Sequence, residues 1–163
     1  MALTILYKGT MDAIPVLAEA GFEKSYASLT NASLTAAYGN PVYAPVGVLG
    51  GTVAALVPGS NYTVTAATGS NAPAGLFVND AAGAPFENSP AVASGKVTVI
   101  NNNAKVEVDL YADDCIGATI GAPLYSDANG FLTITKGSDE TIIGVITKVP
   151  AKAGDPLGLD MRI

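Results

Sequence analysis

The residues best able to do chemistry are three acidic clusters: Asp113-Asp114, Asp127 with the Ala-Asn-Gly that follows it, and Asp139-Glu140. Paired carboxylates can serve as general acid and base, and carboxylate oxygens can bind cations. Neighbouring residues of a strand point to opposite faces, so Asp113 and Asp114 could form a dyad only in a loop. The run from Asp127 resembles the start of a calcium loop but lacks the closing glutamate. We interpret all three clusters as solvated turns.

The chain contains no histidine and one cysteine, Cys115. The absence of histidine removes the commonest general base, the Ser-His and Cys-His nucleophile pairs and imidazole metal ligands. The carboxylates that precede Cys115 disfavour a thiolate, so we expect a small buried residue at this position. We therefore expect no enzyme activity, no catalytic residues, no cofactor and no metal.

The charge balance restricts the classes of partner. The net charge is −6 and the pI is near 4.3, whereas nucleic-acid and anionic-membrane surfaces attract basic patches. One cysteine cannot form an intrachain disulfide, and neither a secretory signal nor a membrane-spanning run is apparent. These features predict a protein made in the cytoplasm, with no nucleic-acid or membrane partner.

Charged residues make up only 13% of the chain, and residues 25–79 contain none. Proteins normally keep their surface soluble with charge. Two interpretations of this uncharged segment stay open. It is either a β region of small residues with an outer face of Ser, Thr and Asn, or a surface that lies against other subunits.

The C-terminal third predicts the clearest β structure. In residues 104–111, apolar and charged side chains alternate as in a strand with one buried face. Asn129-Gly130 predicts a hairpin, and residues 101–103 predict another because asparagine tolerates a positive φ. Gly144 interrupts an apolar strand and indicates a bulge or a close backbone approach.

The rest of the chain predicts shorter elements. Residues 1–7 are predicted to form a first strand or an arm docked on a neighbour. Residues 13–20 are predicted to form a short helix capped by Thr10 or Asp12, with an extended strand as the alternative. Further strands are expected at residues 41–48, 52–57, 62–67 and 75–79.

The predicted fold is mainly β, with a compact C-terminal β-barrel or sandwich and an extended, strand-containing N-terminal region or arm. The divisions are residues 1–24 for the arm with its short helix, residues 25–94 for the uncharged, loop-rich β region and residues 95–163 for the barrel or sandwich. Residues 25–163 as one continuous domain is the alternative.

The C-terminal run contains these motifs in order: Gly-x-Pro-Leu-Tyr, a short hairpin, a strand, Ile-Gly-Val, then Ala-Gly-Asp and a terminal strand. It is formed by Gly121, Pro123, Leu124, Tyr125, Ile143, Gly144, Val145, Ala153, Gly154 and Asp155. Over about the last 70 residues the chain resembles the head decoration, or cement, proteins of bacteriophages.

The resemblance implies a structural subunit on the outer surface of the virion head. Such a subunit would bind the major capsid protein, tie neighbouring capsomers together and associate with itself as a homodimer or homotrimer. The residues we expect at contacts are Leu3, Ile5 and Tyr7 of the arm and Tyr26, Tyr38 and Tyr43 of the uncharged segment, because aromatic anchors often dominate interfaces. The alternatives are another virion component, such as a tail or fibre subunit, and a ligand- or carbohydrate-binding β module.

Overall fold

A computed structural model describes residues 3–8, 12–18, 26, 28–40, 47–60, 63–82, 96–138 and 141–163. Within these ranges the strands are β1 (Thr4–Lys8), β2 (Asp12–Ala18), β3 (Gly47–Val48), β4 (Val53–Leu56), β5 (Thr63–Ala66), β6 (Pro73–Phe77), β7 (Ala81–Ala82), β8 (Lys96–Asn101), β9 (Ala104–Val108), β10 (Pro123–Ser126), β11 (Leu132–Thr133), β12 (Gly144–Lys148) and β13 (Leu157–Met161). One α-helix, α1 (Ala32–Tyr38), and one 3₁₀ turn, Asp113–Cys115, accompany them. The prediction of a mainly β fold is confirmed.

The strands form two principal layers. Strands β2, β5, β4, β6 and β8 close into a barrel, and strands β1, β9, β13, β12, β10 and β11 form a six-stranded sheet in that order. Strands β3 and β7 make a separate two-stranded ladder. The described part of the chain has no helix long and apolar enough to cross a membrane.

The chain passes between the six-stranded sheet and the barrel from β1 to β2 and from β8 to β9. Strand β1 pairs antiparallel with β9, from Thr4 opposite Glu107 to Lys8 opposite Ala104. Strand β2 continues along β8, beginning with Asp12 opposite Asn101. The strands of these two passages therefore pair with each other in both layers, β1 with β9 in the sheet and β2 with β8 in the barrel.

This arrangement corrects two expectations. The helix predicted over residues 13–20 is wrong, because β2 occupies this stretch and pairs along β8; Pro15 lacks the N–H that a helix interior needs. The turn at residues 101–103 forms with positive φ at Asn102 and Asn103, as predicted. However, its flanking strands β8 and β9 pair in different sheets, so it joins the two layers and does not close a hairpin.

Two barrel strands of the uncharged segment, β4 and β6, have residues buried on both faces. In β4, Val53 and Ala55 belong to the core shared with the six-stranded sheet, whereas Ala54 between them packs inside the barrel. In β6, Leu76 belongs to the shared core, whereas Phe77 packs inside the barrel. A strand with two buried faces carries a nearly continuous apolar run. Burial within this chain therefore accounts for the absence of charge in these two strands.

Helix α1 was not predicted, although its signals are in the sequence. The Asn31 side chain accepts a hydrogen bond from the Leu34 amide at 2.8 Å, and Gly39 ends the helix with φ 85°. Asparagine and glycine are preferred at these two positions. Leu34 is buried against Phe131 and other residues of a small cluster, so the helix covers the β10–β11 hairpin.

Candidate interaction surface

The N-terminal segment expected to act as an arm is the edge strand β1. Leu3 is buried in the main core, and the half-buried Ile5 packs against it. The ladder to β9 is irregular between Ile5 and Tyr7, and Leu6 at this irregularity is 56% exposed. The Tyr7 side chain lies outside the described residues. Leu3 and Ile5 thus stabilise the fold of their own chain, and Leu6 is an outward-facing apolar residue of this strand.

The tyrosines of the uncharged segment also have internal partners. Tyr26 is 1% exposed, and its ring centroid lies 6.1 Å from that of Phe131. Burial raises its pKa above the ordinary value, against hydrogen bonds that lower it. The half-buried Tyr38 donates from its hydroxyl to Asp80 Oδ2 at 3.3 Å, and burial together with the Asp80 charge raises its pKa as well. Tyr43 lies outside the described residues.

Asp113 and Asp114 lie in a turn, as expected, but they do not form a dyad. Asp113 Oδ1 accepts a hydrogen bond from the Ala32 amide at 2.8 Å and so holds the start of α1. Asp114 Oδ2 accepts from Thr133 Oγ1 at 2.6 Å and from Thr135 Oγ1 at 2.7 Å. The two carboxylates therefore fasten different segments to the same 3₁₀ turn.

The protonation behaviour of this turn follows from its contacts. Burial alone would raise the pKa of Asp114, but hydrogen bonds, the largest of them from Thr133, outweigh burial and lower it. Burial, followed by the nearby Asp114 charge, raises the pKa of Cys115 to about 12. Cys115 is fully buried, so the expectation of a small buried residue is confirmed and the thiol stays protonated at neutral pH.

We predict that Asp114→Ala lowers the free energy of unfolding by about 2–3 kcal/mol at neutral pH, since hydrogen bonds to a charged group contribute about that much. The folded-state pKa of Asp114 is depressed, so its stabilisation is fully present above the unfolded-state value of about 3.9. It is lost as the pH falls through the folded-state pKa. Urea unfolding at pH 7 and at pH 3 measures this difference.

The exposed Asp113→Ala change serves as the control, because it removes one amide acceptor and keeps the Asp114 contacts. The difference in free energy of unfolding between wild type and Asp114→Ala should become smaller as the pH falls below about 4. An equal difference in free energy of unfolding at pH 7 and at pH 3 would contradict the conclusion that the ionised carboxylate of Asp114 stabilises the fold.

Asp127 also serves the fold. Its Oδ1 accepts hydrogen bonds from the Asn129 amide at 2.7 Å and the Phe131 amide at 2.8 Å, which shapes the β10–β11 hairpin. The hairpin predicted from Asn129-Gly130 is confirmed. No group of three or more Cys, Asp or Glu side chains in the described ranges is arranged to hold a metal ion. Asp139 and Glu140 lie outside the described residues.

A cleft of about 260 Å³ lies where the barrel meets the six-stranded sheet. Its hydroxyl-bearing lining residues are Thr68, Ser126, Thr133, Thr135 and Ser138. Each of these hydroxyls already takes part in a hydrogen bond within the chain. Because each of them donates its proton in that bond, a sugar or other polyol would meet hydroxyl lone pairs in this cleft and no free hydroxyl donor.

The large apolar side chains that the described residues leave exposed are few. They are Leu6 at 56%, Leu56 at 45%, Ile120 at 68% and Ile142 at 43% exposure. They lie on different elements: the edge strand β1, the barrel strand β4, the loop before β10 and the segment before β12. These four positions are the apolar points at which a partner could make contact.

No protein-family model matches this chain, and a search of curated proteins gives no match. Function therefore has to be argued from the fold and the surface.

Proposed function

We propose that this protein is a structural virion subunit that decorates the outer surface of a bacteriophage head. In this role it binds the major capsid protein, ties neighbouring capsomers together and stabilises the shell. It performs no catalysis and needs no cofactor. It acts as a homodimer or homotrimer placed on the outside of the assembled head.

The observation that carries this proposal is the spatial grouping of the residues behind the resemblance. Pro123 of β10 lies opposite Val145 of β12, and Leu124 lies opposite Gly144. A Cβ on Gly144 would lie 2.7 Å from the Asp160 carbonyl oxygen on β13, so only glycine allows β12 and β13 to approach this closely. The pattern thus specifies one three-stranded unit, which supports a resemblance at the level of fold.

The composition of the exposed surface gives further support. Most exposed positions among the described residues are Gly, Ala, Ser, Thr or Asn. Short side chains lose little rotamer entropy when another surface covers them. Such a surface suits many identical, individually modest contacts on a repeating lattice, where avidity and mass action stabilise the assembled shell.

Several acidic side chains form hydrogen bonds within the chain. Asp80, Asp113, Asp114 and Asp127 accept hydrogen bonds from backbone amides of their own chain. Much of the acidic content in the described residues therefore serves turns and helix ends. The net charge of −6 is also suited to the outside of a head, since packaged DNA is polyanionic.

The proposal predicts that the protein raises the temperature at which purified, undecorated shells dissociate. A ligand that binds only the intact state stabilises it by mass action, and the shift should grow with protein concentration until the lattice is full. Differential scanning calorimetry of shells with and without the protein measures the shift. An unchanged dissociation temperature at saturating protein would contradict the stabilising role.

A further inference from the structure

The cleft of about 260 Å³ between the barrel and the six-stranded sheet presents hydrogen-bond acceptors. The hydroxyls that line it donate their protons within the chain. Thr133 and Thr135 donate to Asp114 Oδ2 at 2.6 and 2.7 Å, and Ser138 donates to the Gly69 carbonyl at 3.3 Å. A hydroxyl has one proton and two lone pairs. Lone pairs therefore remain on these oxygens for a ligand that donates.

Two backbone carbonyl groups add acceptors beside Gly137, which also lines the cleft. A Cβ built on Gly137 would lie 3.5 Å from the Gly69 carbonyl oxygen and 3.9 Å from the Ser126 carbonyl oxygen. The absence of a side chain at Gly137 therefore leaves space next to both oxygens. A carbonyl oxygen has two lone pairs, so the Gly69 oxygen can accept from a ligand in addition to the Ser138 hydroxyl.

The walls of the cleft are held against one another. Gly69 has φ 75°, and a Cβ on it would lie 3.1 to 3.2 Å from backbone atoms of Asp127 and Ala128. The loop after β5 therefore packs closely on the β10–β11 hairpin. The Ser138 hydroxyl connects the third wall, residues 135–138, to the same loop. A site with fixed walls needs little ordering when a ligand binds.

The charges at the cleft are negative. Asp127 lines it, and the Asp114 carboxylate holds two of its hydroxyls. Among the described residues that line the cleft, none is basic. Lys136, in the same loop as Gly137, is exposed and is not part of the lining. Carboxylates grouped at a cleft attract cations, so a ligand with a positive charge and several N–H donors matches this lining.

We propose that this cleft binds a primary ammonium group. An ammonium group has three N–H donors, no acceptor and a compact positive charge. It donates to the carbonyl oxygens beside Gly137 and to the hydroxyl lone pairs, close to the Asp127 charge. The group is carried by the lysine side chain of a partner protein or by a small free amine. The site is independent of the proposed role at the phage head.

Titration with n-butylammonium chloride, followed by nuclear magnetic resonance of the isotope-labelled protein, tests the site. We expect saturable changes in the amide chemical shifts of Gly69, Ala128, Gly137 and Ser138, with a Kd of about 1–10 mM and weaker binding at higher ionic strength. The neutral n-butanol and potassium chloride at matched concentration should leave these shifts unchanged. The absence of saturable changes with n-butylammonium, or equal changes with n-butanol or potassium chloride, would overturn the proposal.

Two variants test the acceptors and the charge. Gly137→Ala places a methyl group beside the two carbonyl oxygens and should weaken n-butylammonium binding at least about tenfold. The backbone of Gly137 lies outside the positive-φ region, so alanine introduces no backbone strain there. Asp127→Asn keeps an Oδ1 acceptor for the hairpin amides, removes the charge and should weaken binding about fivefold.

Asp160→Asn is the matched control, because it changes the net charge equally on β13 and Asp160 does not line the cleft. It should bind n-butylammonium as wild type does, and the spectra of all three variants should otherwise match wild type. Wild-type affinity of both Gly137→Ala and Asp127→Asn, or an equal loss in Asp160→Asn, would overturn the site.

Nα-acetyl-lysine methylamide distinguishes the two carriers of the ammonium group. Binding with the affinity of n-butylammonium indicates a lysine side chain, because the peptide-like backbone is then accepted at the mouth of the cleft. Binding of n-butylammonium alone indicates a small free amine, and failure of both ligands overturns the proposal. These titrations contain no shells, so their outcome does not depend on the proposed function.

Discussion

Replacement of Gly75 by alanine is expected to lower the free energy of unfolding by about 4 kcal/mol or more, a large part of the 5–15 kcal/mol of a typical domain. Gly75 has φ 147°, a conformation that residues with a Cβ rarely adopt. A Cβ at this position would overlap the Ile100 carbonyl oxygen and would lie 2.7 Å from Val99 Cγ1. Both of these residues belong to β8, so the change pushes β6 and β8 apart and opens the barrel.

Gly59→Ala is the control for Gly75→Ala, because it introduces backbone strain without steric overlap. Gly59 also has a positive φ, 76°, but a Cβ there would have no heavy atom within 4 Å. Its replacement should cost only about 1 kcal/mol. Urea unfolding followed by far-ultraviolet circular dichroism measures both variants. If Gly75→Ala cost no more than Gly59→Ala, the close approach of β6 to β8 would be wrong.

Asn31→Ala is expected to cost about 2–4 kcal/mol, because one side chain serves two parts of the fold. Its Oδ1 caps α1 through the Leu34 amide at 2.8 Å, and its Nδ2 donates to the Tyr111 carbonyl at 2.9 Å. Asn31 is only 8% exposed, so water cannot fully replace these partners. The loss should weaken the attachment of the helix to Tyr111 as well as the helix end, while the Ser33 hydroxyl still donates to the Tyr111 carbonyl at 2.8 Å.

Asn31→Ser tests the division between the two contacts. Serine restores an N-cap oxygen but lacks the amide donor for the Tyr111 carbonyl, so an intermediate cost is expected. The neighbouring exposed change Thr30→Ala should alter stability by less than about 0.5 kcal/mol. Thermal unfolding monitored by calorimetry ranks the three variants. Wild-type stability of Asn31→Ser would contradict a contribution from the Tyr111 contact, and equal stabilities of Asn31→Ala and Asn31→Ser would contradict a contribution from the N-cap.

The elements predicted correctly are those with local signals. Asn129-Gly130 predicts the β10–β11 hairpin, and the alternation over residues 104–111 predicts β9. A turn sequence and a two-residue period can both be recognised within a few residues. Helix α1 also had local signals in Asn31 and Gly39, but its seven residues are too few for a clear helical period.

The features missed are those that depend on distant partners. Strand β2 is defined by its pairing with β8, more than 70 residues later in the chain, while its own residues allow a helix or a strand. The contacts of Asp114 with Thr133 and Thr135 span about 20 residues. The strands β4 and β6 of the uncharged segment could not be assigned for the same reason: their second buried face is supplied by a sheet formed largely from the C-terminal third.

The central claim is that this protein binds the outside of an assembled phage head, and sedimentation with purified empty shells tests it most directly. The shells should come from the phage that, on this proposal, encodes the chain, and the protein should be titrated across a range of concentrations. The proposal predicts saturable binding with a fixed number of copies per capsomer and competition between labelled and unlabelled protein. Protein that stays in the supernatant at all concentrations, or binds without saturating, would contradict it.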